Sequence, residues 1–275
     1  MKFRKIVSAA VAAVLLAVCA ATAASSAGNE VHVFIDGRLY LGETILQPGT
    51  TYVSLRRFAD EMPGARVGWD GETETATVTY RGVTLSARDG ARMIEAGGRC
   101  LPCEQGIFTK DGRIYVPLRR IASAFGYSTR WVEGASLALL TKDENVLADG
   151  GDFYPGDDLY WLSRIISAEA RGESFEGKLA VGTVIMNRKE SDEYPDTVYG
   201  VIFDRNNGVQ FTPTANGTVY QEPDEDSVRA AKLCLEGART PGGILFFMNE
   251  RIAESLWIKN NCTFVVSIGN HDFYA

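Results

Sequence analysis

Glu169 lies in the run Leu159-Tyr160-Trp161-Leu162-Ser163-Arg164-Ile165-Ile166-Ser167-Ala168-Glu169-Ala170-Arg171-Gly172-Glu173. At helical period it shares a face with Leu159, Leu162 and Ile166, so an acid closes an apolar stripe. Such a group is either a misplaced core residue or a working acid. Burial penalises the ionised form and moves the pKa toward neutrality, which is the range general acid catalysis requires. Other reactive residue types offer less. Cys100-Leu101-Pro102-Cys103 has redox-pair spacing, but no helix start follows it to lower a thiol pKa, so it reads as a local disulfide or two ordinary thiols. Cys234 and Cys262 are a candidate pair in an oxidising compartment. The two histidines, His32 and His271, lie in different halves of the chain. A zinc amidase needs two or three His, Asp or Glu ligands around an open position, so no metal and no cofactor is expected.

The elements that must position Glu169 begin after a leader. Met1-Lys2-Phe3-Arg4-Lys5 is basic, Ile6 to Ala24 is uncharged and apolar, and Ala21-Thr22-Ala23 and Ser25-Ser26-Ala27 offer small-residue cleavage sites. Residues 1–27 therefore read as a secretory signal peptide, with an uncleaved membrane anchor as the alternative. Cleavage would leave no transmembrane segment. It would also take the net charge from -7 to -10, with 25 Lys and Arg against 35 Asp and Glu. That balance excludes a nucleic-acid partner, which needs a basic footprint. At 275 residues and 45% hydrophobic content, two globular domains fit.

Residues 30–142 contain an imperfect duplication. Tyr52-Val53-Ser54-Leu55-Arg56-Arg57-Phe58-Ala59 recurs as Tyr115-Val116-Pro117-Leu118-Arg119-Arg120-Ile121-Ala122. Each copy runs through a short helical stretch to a Trp, in Ala65-Arg66-Val67-Gly68-Trp69-Asp70 and in Tyr127-Ser128-Thr129-Arg130-Trp131-Val132-Glu133. An alternating strand follows each, Thr75 to Tyr80 and Ser136 to Thr141. Two β-β-α-β units in one domain are expected. Residues 143–157 are rich in acid and Gly and free of bases, a linker composition. Asp157 and Asp158 are expected N-caps for the Glu169 helix. Residues 158–275 read as helices at Asp158–Gly172, Glu176–Lys189 and about Asp226–Arg239, with strands at Ile244–Met248 and Thr263–Gly269. Between them comes an irregular segment containing Gly208–Pro213. The fold class is α+β: a duplicated sheet domain, then a mainly helical domain with a small sheet.

The duplicated region resembles the stalk-type domain named after the N-terminal region of copper amine oxidases, on its YVPLR-like core and Gly/Trp segment. The second region carries Ser167-Ala168-Glu169-Ala170-Arg171-Gly172-Glu173, Glu176-Gly177, Ala180-Val181-Gly182, Val184-Ile185-Met186-Asn187-Arg188, Gln210-Phe211, Phe246-Phe247-Met248-Asn249 and Ile268-Gly269-Asn270-His271-Asp272-Phe273-Tyr274, in that order. It resembles the SleB/CwlJ-type cell wall hydrolases, which are associated with spore cortex peptidoglycan and germination and are similar to lysozyme-like lytic transglycosylases. The resemblance implies that Glu169 is the catalytic acid/base for a MurNAc-GlcNAc bond. One carboxylate suffices when the sugar's own C6 hydroxyl is the nucleophile; a hydrolytic version would want a second carboxylate about 5 to 9.5 Å away. Glu173 and Glu176 are the nearby candidates in sequence, Glu176 also as a substrate contact.

Asn187, Gln210 and Asn249 are amides suited to acetamido and hydroxyl groups, while Phe211, Tyr220, Phe247 and Trp257 either stack on sugars or pack in the core. His271 is expected to make a structural hydrogen bond. The implied partner is the peptidoglycan glycan strand, with room for cell-wall or accessory proteins, at a secreted location in wall or cortex. The readings that compete are an N-acetylmuramoyl amidase and a non-catalytic wall-binding protein.

Overall fold

The computed structural model describes residues 31–275 other than 133, 144–146, 207 and 254. The leader read over residues 1–27 lies outside them. Two compact units result, one taking residues up to Ala148 except Gly98–Pro102, the other Gly98–Pro102 with Asp149–Ala275.

In the first unit each copy of the repeat is a hairpin, a helix and a second hairpin. The first copy comprises strands Thr44–Gln47 and Thr50–Ser54, helix Leu55–Asp60, and strands Arg66–Asp70 and Thr75–Tyr80. The second comprises Phe108–Lys110 and Arg113–Pro117, helix Leu118–Ala124, then Tyr127–Val132 and Leu137–Lys142. The Trp-bearing segments are therefore strands themselves, which extends each expected β-β-α-β unit by one strand. They pair antiparallel with the alternating strand that follows, as in Trp69↔Ala76 and Trp131↔Ala138. That ladder supplies the backbone partners a lone Trp segment would lack.

The two copies meet where Thr50–Ser54 pairs antiparallel with Arg113–Pro117. Val53 faces Val116, flanked by Tyr52↔Pro117 and Ser54↔Tyr115. Because these positions are equivalent in the repeat, a pseudo-dyad passes through the Val53–Val116 pair. Tyr52, Val53, Tyr115 and Val116 are all 0% exposed, so the repeated Tyr-Val core is the seam of the domain. Leu55, Phe58 and Ala59, and likewise Leu118, Ile121 and Ala122, are buried at helical spacing.

The second unit is built on three helices: Gly156–Ala170, Phe175–Glu190 and Glu225–Leu235. The first two were expected within about two residues. The third ends earlier than the expected Arg239, its C-terminal N–H groups turning back onto Lys232 and Cys234. Short helices Val198–Phe203 and Pro213–Asn216 order the segment read as irregular. Helix Phe175–Glu190 is central and buried around most of its circumference, hence its lack of amphipathic pattern. Gly182 is where neighbours crowd it. A Cβ there would fall 2.7 Å from Cys234 Sγ and 2.8 Å from Ile166 Cδ1. The Ala-Val-Gly motif thus reflects a close three-helix approach. A three-stranded sheet of order Phe246–Met248, His271–Tyr274, Phe264–Ile268 closes the unit. Among the described residues no helix is long and apolar enough to cross a membrane.

Candidate active site

Helix Gly156–Ala170 starts at Pro155, with Asp157 and Asp158 inside its first turn rather than capping it. There they complement the positive end of the helix dipole. Leu162, Ile165 and Ile166 are 0% exposed and anchor the helix in the core. Glu169, on the same stripe, is the penultimate helical residue and only partly exposed. Among the described residues it has no hydrogen bond or ion pair. Burial alone raises its pKa to about 7. The negative end of its own helix disfavours ionisation in the same sense.

The opposite side of this helix is tied down by polar contacts. Arg164, Ser167 and Arg171, spaced at i, i+3 and i+7, all reach residues 222–224. Arg164 pairs with the Glu222 carboxylate and Arg171 Nη2 donates to Glu222 O at 2.7 Å. Ser167 Oγ donates to Asp224 Oδ2 at 3.2 Å and lies 3.3 Å from the Asp224 N–H, which donates to it. Asp224 caps helix Glu225–Leu235, accepting from Ser227 N at 2.9 Å, and takes the buried Lys178 Nζ at 2.7 Å. Burial works against its ionisation, but the bonds from Lys178 and Ser227 outweigh it and hold the carboxyl well below the usual range. The network was not legible in the sequence, since Lys178 and Asp224 lie 46 residues apart. Its only local signal was the Asp-x-x-Ser cap at Asp224 and Ser227.

Glu173, the first candidate second carboxylate, holds a turn. Its Oε1 accepts from Asn270 Nδ2 at 2.9 Å and its Oε2 from Asn270 N at 3.1 Å. Burial pushes its pKa up, yet these bonds and nearby His271 leave it lowered overall. Gly269 makes the approach possible. Its φ is +61°, and a Cβ there would sit 1.9 Å from Glu173 Oε2. The Gly-Asn motif is thereby a docking point for the end of the Glu169 helix. His271 is 8% exposed, set edge-on to Phe247 with ring centres 5.2 Å apart, and its Nδ1 has no partner among the described residues. The expected structural hydrogen bond is absent at that atom, and burial lowers its pKa.

The remaining candidates fall in three places. Gln210 Oε1 accepts from Arg188 Nη1 at 3.2 Å; Arg188 is itself buried and donates to Leu245 O at 2.7 Å. Asn187 Nδ2 donates to Ile244 O at 2.9 Å. These two amides belong to one cluster at the end of the central helix. Phe211 is 2% exposed in the helical core, with Phe247 at 6.3 Å between ring centres, so its ring is a packing surface here. Asn249 Oδ1 accepts from Arg251 N at 3.1 Å and shapes a turn. Glu176 is an exposed acid in the first turn of helix Phe175–Glu190, whose cap is Ser174. Cys234 and Cys262 are both free thiols rather than a pair, Cys234 lying under Gly182 in the core.

One surface cluster went unread apart from Tyr220. Trp161 meets Tyr160, Tyr199, Phe203 and Tyr220 with ring centres 4.9, 5.4, 5.1 and 6.0 Å away. Tyr160, Tyr199 and Tyr220 are exposed on the flank of the Glu169 helix, with the Arg164 guanidinium over one face of the Tyr160 ring at 3.8 Å.

The cell wall hydrolase family matches residues 172–274, beginning just after Glu169, and the copper amine oxidase N-terminal domain matches residues 34–139. A spore cortex-lytic enzyme of Halalkalibacterium halodurans is 38% identical over 120 residues, covering 44% of this chain and 35% of that protein. One from Bacillus subtilis is 33% identical over 132 residues, 48% of this chain and 42% of that protein. The chain thus spans less than half the length of these relatives. The catalytic domain of the germination-specific lytic transglycosylase SleB from Bacillus anthracis is 32% identical over 47% of this chain and all of its own, with a TM-score of 0.41.

Proposed function

We propose, from the premise that this chain belongs to the SleB-type cell wall hydrolases and carries a copper amine oxidase N-terminal domain ahead of that region, that it is a peptidoglycan lytic transglycosylase. Its substrate is the MurNAc-GlcNAc bond of exported wall or cortex glycan. The observation that carries this reading is Glu169, a carboxyl with a pKa of about 7 and no partner among the described residues. Near neutral pH half of such groups carry a proton, so Glu169 can protonate the leaving oxygen as positive charge develops on the sugar. As a carboxylate it then takes the proton from the C6 hydroxyl, which closes a 1,6-anhydro ring.

Two carboxylates beside the Glu169 helix are already committed to other partners. Glu173 is engaged by Asn270, and Asp224 by Lys178, Ser167 and Ser227. Both are depressed in pKa and occupied by donors, and neither is poised to activate water. The exposed tyrosines around Trp161 supply ring faces for pyranoses. Because the relatives are spore cortex-lytic enzymes, cortex is the proposed source of the glycan.

Mass spectrometry of products from purified cortex and vegetative sacculi tests this. The expected result is 1,6-anhydro ends, richer from cortex, and none from Glu169→Gln. Reducing MurNAc ends would sink the transglycosylase chemistry, and a Glu169→Gln chain that still cuts would sink the site. On pH titration kcat/KM is expected to fall as pH rises past about 7, where the acid loses its proton.

A further inference from the structure

The first domain contains a cleft of about 780 Å3 that the catalytic reading does not use. Four pieces form it: the start of helix Leu55–Asp60, the strand Arg66–Asp70, Ala76 on the adjoining strand Thr75–Tyr80, and the turn joining Phe108–Lys110 to Arg113–Pro117. Val67 and Trp69, two apart on the strand, point to the same side, and Trp69 is 58% exposed. All five residues of that strand are exposed. Arg56, Arg57 and Arg113 line the cleft against a single acid, Asp111. Arg57 is held by Asp60 at 3.2 Å, whereas Arg56 has no hydrogen bond or ion pair among the described residues.

Stability accounts for neither feature. An indole left more than half in water gains only part of what burial offers, and a cation in the first turn of a helix opposes the helix dipole. An indole face beside guanidinium forks suits a ligand with an apolar face and a carboxylate. Residues 31–148 hold 14 acids against 14 bases, which is too balanced for a nucleic acid. The pseudo-dyad sharpens the point. It relates Trp69 to Trp131 and Arg56 to Arg119, but the positions matching Asp111 and Arg113 are Pro48 and Thr50. Only the cleft at the first copy's helix therefore has a third arginine, lent by the hairpin of the second copy.

We infer that this cleft is a second, non-catalytic glycan site. A peptide-bearing glycan strand lays a sugar face on Trp69 and sets carboxylates of its stem peptides against Arg56 and Arg113. The choice of peptidoglycan as that strand rests on the function proposed above; the cleft does not.

The test uses the full chain carrying Glu169→Gln, so that the polymer stays intact, and co-sedimentation with insoluble peptidoglycan stripped of phosphate polymers. Trp69→Ala and Arg56→Ala are each expected to weaken binding about tenfold, as losing one stacking or charge-assisted contact does. Trp131→Ala is expected to bind like the parent. With Glu169 intact, Trp69→Ala and Arg56→Ala should turn over short soluble glycan normally, which shows the chain folded; an inactive parent would count against the enzyme reading alone. Unchanged binding in Trp69→Ala, an equal loss in Trp131→Ala, binding that requires the phosphate polymers, or self-association abolished by Trp69→Ala would each overturn the cleft assignment.

Discussion

The two sides of helix Gly156–Ala170 put carboxylates under opposite constraints. On one side Asp224 receives Lys178, Ser167 and Ser227 and is held ionised well below the usual range. On the other, Glu169 follows Leu162 and Ile166 out of the core, has no partner among the described residues, and is pushed up to about 7. Burial opposes ionisation at both groups; donors decide the outcome. The occupied acid fixes the helix, and the unoccupied one holds its proton up to about pH 7.

The largest stability effect should come from removing the unoccupied acid. Unfolded, Glu169 ionises near 4.5, and folded near 7. Below pH 4.5 it is protonated in both states and its burial costs nothing. As pH rises toward 7 the unfolded chain releases its proton first, and stability drains away until both states are ionised. Glu169→Gln should therefore stabilise the chain by about 2–3 kcal/mol at pH 8 and by little at pH 4, read by urea denaturation. An equal gain at both pH values would break the contrast.

Lys178→Met strips the occupied side. It leaves Asp224 with serine partners alone and should cost about 2 kcal/mol, since removing one member of a buried pair strands the other. Asp224 is depressed, so its contribution is present above the ordinary carboxylate pKa of about 4 and is lost as pH falls. The parent should lose more stability than Lys178→Met between pH 5 and pH 2, two points bracketing that value, by thermal melts. Identical acid slopes would show that Lys178 does not hold Asp224.

Gly269→Ala attacks the third anchor. The new methyl collides with the Glu173 carboxylate and demands a left-handed φ, at about 1–2 kcal/mol for the backbone and displaced contact together. Because Glu173 lies just past the Glu169 helix, turnover should fall further than melting alone explains. A variant with lowered melting but unaltered kcat would make that turn purely structural.

Much of this contrast was open to sequence reading on its apolar side and little of it on the polar side. The stripe Leu159, Leu162, Ile166, Glu169 follows from local periodicity, which is why the helix and its terminal acid were legible. The Lys178–Asp224 pair depends on two helices meeting, and no local pattern encodes that. The same limit explains Phe211 and Asn249: their types suit sugars, but one fills the core and the other bends a turn. In the first domain the Trp segments looked like helix ends, because the pairing that makes them strands comes from their neighbours.

The smallest effect belongs to the far end of the same helix. Asp157 and Asp158 face the positive end of its dipole, so Asp157→Asn with Asp158→Asn should cost about 0.3–1 kcal/mol per charge at low salt and less at high salt. They stand about 18 Å along the axis from Glu169, at 1.5 Å per residue, roughly twice the screening length in physiological salt. The basic limb of the pH–rate profile should therefore stay where it is. Were it to move with these substitutions, long-range charge rather than burial would be setting the Glu169 proton, and the contrast between the two sides would have a different physical cause.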